Sequence, residues 1–347
     1  MKKRQPQNFK VKVTMKTIAE EAGVTLPTVS RILNKKGGKY AEATKEKIFE
    51  IADRLKYRPN ALVHGMQSGR TNTAGVMIPV IGQFYAQIIE GIHNTFVDKG
   101  IIMLLGWGEN INAPKDDTKE RKIIHQLVDR RVDGVILRPS CEAFELSYFE
   151  EIWERNIPLI LIDREMTNIT TDFVGTDDEA GGIAAAEHLI GLGHQRILFA
   201  GSSEQVSTSR QREAGFRKVI GEYPNASRES LDIDKPDHVE RLMHYLKQDN
   251  GPTAIFAYSD PSAEHIADIL IKAGISIPGD ISIVGFGDQP SGTCPIALTT
   301  FDQHPQIIGK TAAEIYLELI TEETRSDIRR ERITPDIILR ASTTPPQ

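Results

Sequence analysis

Apolar residues in TIAEEAGVTLPTVSRILN, residues 17–34, recur at helical spacing. Ile18, Ala19 and Ala22 make one face, Gly23 interrupts it, and Thr25 stands where a second helix needs a cap. Val29, Ile32 and Leu33 turn the second helix's apolar side toward the first, which leaves Leu26, Pro27, Thr28 and Arg31 facing outward. A third amphipathic stretch follows in TKEKIFEIADRLKY (44–57), with Ile48, Ile51, Ala52 and Leu55 at i, i+3, i+4 and i+7. The pattern predicts a three-helix unit built as helix, turn, helix, an arrangement able to lay its second helix in a DNA major groove. Short helical hairpins that bind nothing share this pattern.

From residue 72 the period changes. Short apolar runs alternate with helical stretches: AGVMIPV, GIIMLLGWG, VDGVILRPS and IPLILID, then DFVGTDD, HQRILFAGS, PTAIFAYSD and ISIVGFGD. Strands alternating with helices predict parallel sheets, and the two series predict an α/β core of two similar lobes. Ligands of such sheets bind at the carboxyl ends of the strands, so two facing edges define a cleft.

Charge divides the chain in the same place. Residues 1–70 hold 16 Lys and Arg against 6 Asp and Glu, a charge of +10, whereas the remainder carries −16 within an overall −6. A basic end on an acidic body suits a chain that meets a polyanion at one end only; a solvated basic tail is the alternative. With 39% hydrophobic and 26% charged residues, collagen, coiled coil and wholesale disorder are excluded. No apolar run approaches the ~20 residues of a membrane span, and the basic start MKKRQPQNFKVKV lacks the apolar core of a secretory signal. Two distant cysteines, Cys141 and Cys294, suit a reducing compartment, so a cytoplasmic location is expected.

The segments TIAEEAGVTLPTVSRILN and TKEKIFEIADRLKYRPNALVHGMQSGRTNTAGVMIP, with the later VDGVIL, IPLILIDR, EAGF, ISIVGFGD and LTTFDQ, resemble the LacI/GalR (lactose repressor) family of bacterial transcription regulators. The resemblance covers essentially the whole chain after residue 13. It implies an all-α helix-turn-helix DNA-binding domain ahead of two periplasmic-binding-protein-like lobes. The expected divisions are a basic tail (1–13), the DNA-binding domain (14–57), a hinge helix and linker (58–71), a first lobe (72–171 plus 302–328) and a second (172–301 plus 329–347). By the family pattern Leu26 and Pro27 head the recognition helix and Arg31 is the base reader, a residue suited to guanine O6 and N7. Thr25, Thr28, Ser30 and Asn34 are expected on the DNA backbone. In the hinge, Asn60 is a further DNA contact and Met66 stands where an apolar wedge enters the minor groove. Gly65, an extra residue in KKGGKYAEAT, and Ala41 near a usual Ser cap depart from the pattern.

For the cleft the resemblance and the strand ends together mark Phe84, Tyr85, Asp163, Arg164, Arg212, Ser259, Asp260, Asp288 and Gln303 as effector contacts, with Arg210 an alternative to Arg212. Core packing competes as a role for the two aromatics. Asp163 ends IPLILI, where a carboxylate can accept paired hydroxyls as sugar sites require. In GFGD, Gly287 replaces the acid that many family members carry after the aromatic. Losing that carboxylate while Arg164 and Arg212 remain favours an anionic effector such as a sugar acid over a neutral sugar.

Enzyme signatures are lacking: GFGDQP has Pro290 where a third glycine belongs, no GxxxxGK[ST] loop or GxSxG elbow occurs, and the nine His show no HExxH spacing. No enzyme activity, cofactor or metal is expected. The sequence therefore predicts a repressor that binds operator DNA as a homodimer and is controlled by a sugar or sugar derivative. The alternatives are a purine-type regulator with a nucleobase corepressor, where the aromatic expected beside Asp163 is Arg164, and control by a carrier protein. A periplasmic-binding-like sugar-binding protein or a hydrolase is a remoter reading.

Overall fold

A computed structural model describes residues 13–34, 39–58, 69–78, 82–107, 117–139, 149–166, 168–202, 206–223, 229–289, 292, 294–321 and 327–347. The chain divides into two compact units, Met1–Thr71 and Asn72–Gln347.

In the first unit the three expected helices form: α1 (Met15–Ala22), α2 (Leu26–Leu33) and α3 (Glu42–Arg54). Thr14 caps α1, its hydroxyl accepting from the Thr17 N–H while the Thr17 hydroxyl accepts from the Thr14 N–H. Gly23 ends α1 at φ 72°, the left-handed conformation that glycine takes without a Cβ clash. Lys47 donates to the Ala22 carbonyl at 3.0 Å, joining α3 to the open end of α1. Ile18, Ala19, Ala22, Val29, Ile32, Ile48, Ile51 and Ala52 make the core, with Leu33 and Leu55 packed against it. Thr25 and Ala41 take the cap positions of α2 and α3, and neither supplies a side-chain cap.

The second unit carries two parallel sheets. One has the order β11-β5-β4-β3-β1-β2, comprising β1 (Thr73–Ile78), β2 (Ile102–Trp107), β3 (Gly134–Leu137), β4 (Leu159–Ile162), β5 (Asp172–Thr176) and β11 (Arg330–Ile333). The other has the order β7-β6-β8-β9, from β6 (Ile197–Gly201), β7 (Ser230–Asp232), β8 (Ala254–Ala257) and β9 (Ser282–Val284). β3 to β6, β8 and β9 are buried at every residue, which parallel strands covered on both faces require. On the first sheet, α4 (Gln83–Val97) and α11 (Pro305–Thr321) cover one face, α5 (Asp117–Asp129) and α6 (Glu150–Glu154) the other. On the second, α7 (Asp178–Gly191) and α8 (Ser207–Ile220) oppose α9 (His238–Leu246) and α10 (Asp260–Lys272). α7 and α8 cross where Gly182 meets the Arg212 carbonyl and Gly215 meets that of Glu179; a Cβ on either glycine would collide with backbone.

The strand series divides differently from the sequence reading. DFVGTDD, taken as the opening of the second lobe, is β5 of the first sheet, hydrogen-bonded to β4 and β11. Residues 330–333, also placed in the second lobe, form the edge strand of the first. The chain thus changes lobe after Thr176 and after Ile333, a few residues later than expected, because hydrogen-bond register rather than apolar content decides which sheet a strand joins. α11 packs on the first sheet as expected. β10 (Thr300–Asp302) and β12 (Asp336–Ile338) pair as a separate antiparallel ribbon. Residues 342–344 return to the second lobe, with Ile283 donating to the Ser342 carbonyl at 2.8 Å and the Ser342 hydroxyl to that of Ile283 at 2.5 Å.

Candidate functional site

Helix α2 presents Thr25, Leu26, Pro27 and Arg31 as exposed residues, while Thr28, Ser30 and Asn34 are half-buried. Leu26 is 47% exposed at the head of the helix, which sets an apolar side chain on the outward face. The Thr25 and Thr28 hydroxyls lie 3.0 Å apart, and the Asn34 amide donates to the Ser30 hydroxyl at 3.3 Å. Pro27 falls in the first turn, where its missing N–H costs nothing. These positions form one outward face beside the helix N-terminus, where the positive end of the helix dipole suits phosphate. Asn60 and Met66 lie outside the described residues.

In the second unit one polar group gathers at the strand ends of the first sheet. Asp163 follows β4 in the left-handed region at φ 65°, and its Oδ2 accepts from the Tyr85 hydroxyl at 2.8 Å and from Arg138 Nε at 3.2 Å. Tyr85 lies in the first turn of α4 and Arg138 directly after β3. The Arg138 guanidinium stands 5.3 Å from the centre of the Tyr85 ring. Burial pushes the Tyr85 hydroxyl up to about 12. Burial opposes the Arg138 charge, but Tyr85 and Asp163 outweigh it and hold that group above its ordinary value. Arg164 is held below its ordinary value by burial and then by Arg138. Phe84, by contrast, belongs to the core beneath α4 at 4% exposure, edge-on to Tyr85; the aromatic of this pair that reaches the polar group is Tyr85.

A second group centres on Arg212 of α8. Its Nε donates to Asp178 Oδ1 at 2.7 Å, Nη1 to the Tyr258 carbonyl at 2.5 Å, and Nη2 to Gln303 Oε1 at 3.1 Å, while the guanidinium lies 3.7 Å from the centre of the Phe286 ring. Thr176, at the end of β5, donates to the same Gln303 oxygen at 2.9 Å. Arg212 therefore ties α7, the end of β8 and the segment after β10 to the end of β5, joining the two lobes. Burial pushes the Asp178 carboxyl up to about 6 against the pull of Arg212.

The other expected contacts are also engaged internally. Asp260 accepts from the Thr300 hydroxyl at 2.6 Å and from the Gln289 N–H at 2.7 Å, and burial raises its pKa against those bonds. Ser259 caps α10, accepting from the Ser262 N–H at 3.4 Å. Asp288, at φ 48°, pairs with Arg340 at 2.5 Å. The structure thus brings Tyr85, Asp163 and Arg164 together with Arg138, and Arg212 with Gln303 and Asp178; Ser259, Asp260 and Asp288 hold the loops around them. Arg138 was missed in the sequence although its signal is there: like Asp163 it is a charged residue directly after an apolar strand run, VDGVILRPS. Between the lobes, Glu165 donates its N–H to the Ser207 hydroxyl at 3.4 Å and pairs with Arg330 and Arg332 of β11.

A helix-turn-helix unit joined to a two-lobed body with polar groups at its strand ends defines a DNA-binding regulator with a ligand-binding-protein-like core. Residues 14–60 match the family model described as bacterial regulatory proteins, lacI family, and residues 186–343 match the periplasmic binding protein-like domain. The chain is 28% identical over 338 residues to the HTH-type transcriptional repressor PurR of Photobacterium profundum, covering 95% of this chain and 98% of the relative. It is 29% identical over 350 residues to the HTH-type transcriptional regulator DegA of Bacillus subtilis, covering 96% and 99%. Among solved structures, the lac repressor dimer bound to operator and the anti-inducer ONPF superposes with a TM-score of 0.78 at 22% identity, covering 96% of this chain and 99% of that one. A LacI family transcriptional regulator from Enterococcus faecium with bound ribose gives 0.65 at 26% identity over 79% of this chain and 100% of its own. The chain belongs to the LacI family and is a DNA-binding transcriptional regulator.

Proposed function

We propose that this regulator is a repressor that binds a near-palindromic operator as a homodimer and releases it in response to a small acidic sugar derivative held between the lobes. The observation that carries the effector reading is the group at the first sheet's strand ends, where the Arg138 guanidinium pairs with Asp163 and Arg164 lies within electrostatic reach of both. A guanidinium matches a carboxylate in two parallel hydrogen bonds, and Asp163 can accept from sugar hydroxyls. A sugar acid offers such a group both a carboxylate and hydroxyls; a neutral sugar offers hydroxyls alone. Support for sugar chemistry comes from the relatives solved with ribose and cellobiose.

On the DNA side, Arg31 reads a base, Leu26 and Pro27 meet the apolar parts of the groove, and Thr25, Thr28, Ser30 and Asn34 set the register on the backbone. Asn60 and Met66 contribute from the hinge, residues 58–71. Two-fold symmetry of the dimer matches that of the site, as in the lac repressor dimer bound to operator. A second reading, a nucleobase corepressor, is favoured by the 28% identity to PurR repressors along almost the whole chain. Thermal melting of the protein against sugar acids, their neutral counterparts and nucleobases separates the two. The acids are expected to raise the melting temperature selectively and to lose that effect in Arg164→Gln. A rise with neutral sugars or nucleobases alone would refute the acidic-sugar reading.

A further inference from the structure

On the second lobe, among residues that belong to neither site, two imidazoles meet. His238 opens α9 and His265 lies in the middle of α10, and their Nε2 atoms are 2.9 Å apart with ring centres at 5.1 Å. His238 is half-buried and His265 exposed, so the pair is open to solvent. The other nitrogen of His238, Nδ1, stands 2.7 Å from the Lys235 carbonyl. A carbonyl only accepts, so Nδ1 carries the proton and Nε2 presents its lone pair toward His265. That arrangement, one ring nitrogen tied to a backbone carbonyl and the other free to donate electrons, orients histidines toward metal ions.

We propose that His238 and His265 form a two-imidazole site for a divalent late transition metal ion. With metal–nitrogen bonds of about 2.0–2.1 Å, nitrogens in adjacent positions at 90° lie about 2.9 Å apart and tetrahedral ones about 3.3 Å. The pair stands at this separation already, so binding requires that His265 move its ring proton from Nε2 to Nδ1 and that the two rings turn until their lone pairs converge on one point. Imidazole selects zinc, nickel and copper over magnesium or calcium, which prefer oxygen. Among the described residues no group of three or more His, Cys, Asp or Glu could hold a metal, so the remaining positions fall to water. The ion would staple the start of α9 to α10.

The test uses the untagged, full-length protein freed of metal by chelation. Calorimetric titration with nickel is expected to show one saturable site per chain. Either His238→Gln or His265→Gln should weaken it by at least the ~10–100-fold that loss of an outer-shell partner costs. His244→Gln, elsewhere on α9, should leave it intact, and magnesium should not bind. Electron paramagnetic resonance of the copper-loaded protein should show two coordinating imidazole nitrogens, a readout independent of how the variants fold. Nickel affinity unchanged in both variants, absence of a saturable site, or a copper spectrum without the two nitrogens would overturn the proposal.

Discussion

Replacing Arg212 with methionine removes the group that links α7, α8 and the segment after β10. The Asp178 carboxyl, 2% exposed, then loses the guanidinium that donates to it at 2.7 Å. Breaking a buried pair by removing one member costs about 3–5 kcal/mol, because the remaining charge is stranded. Asp178 already stands at about 6 against an ordinary 3.8. A carboxyl raised on folding adds stability below its unfolded value and loses that contribution as pH climbs through the folded value; a shift of about two units is about 3 kcal/mol. Without Arg212 the carboxyl rises further, so the variant's deficit should be largest at pH 8 and smaller at pH 5, where Asp178 takes a proton. Urea unfolding at the two pH values measures this. Adding Asp178→Asn to Arg212→Met should recover at least about 1 kcal/mol at pH 8, the coupling expected of contacting residues. Equal losses at both pH values, together with simple additivity of the two substitutions, would refute the stranded-charge argument.

Three further outcomes follow from the same geometry. Arg31→Ala should cost about 1–3 kcal/mol of operator affinity and relax preference at one base pair, read by binding to single-base operator variants; uniform weakening across sequences would make Arg31 a phosphate contact. Gly182→Ala forces a methyl onto the Arg212 carbonyl and should destabilise by about 1–3 kcal/mol, whereas Gly191→Ala, with open space around it, should cost little; thermal melting compares them. Operator affinity should fall steeply and log-linearly with salt, since residues 1–70 carry +10, while affinity for the effector should depend on salt far less.

The sequence made the helical unit and the α/β alternation legible because both rest on period: Ile18, Ala19, Val29, Ile32, Ile48 and Ile51 are core residues as their spacing requires. Lobe membership of residues 172–176 was not legible, since a strand's partners are chosen by register and the apolar centre of β5 reads like a strand of either sheet, while β11, Arg-Glu-Arg-Ile, has no apolar run to mark it as a strand at all. Tyr85, Asp163 and Gln303 were marked as effector contacts from their positions after strand runs, and the structure sets each of them in a polar group. Phe84 was set in the core by the helical turn that aims its neighbour outward. Arg212 reads from sequence as a ligand contact because burial by protein partners leaves no trace in spacing; only the Tyr258 carbonyl, Asp178 and Gln303 around it reveal the lobe-joining role. Arg138 could have been found by the rule that found Asp163, applied to β3.

The central claim is that occupancy of the cleft and affinity for DNA are coupled. The measurement that tests it most directly is the affinity for a labelled operator, at fixed salt, with and without a saturating acidic sugar shown to bind the protein. The account predicts weaker operator binding in its presence by about 5–150-fold, a coupling of about 1–3 kcal/mol. An effector that occupies the cleft and leaves operator affinity unchanged would contradict it.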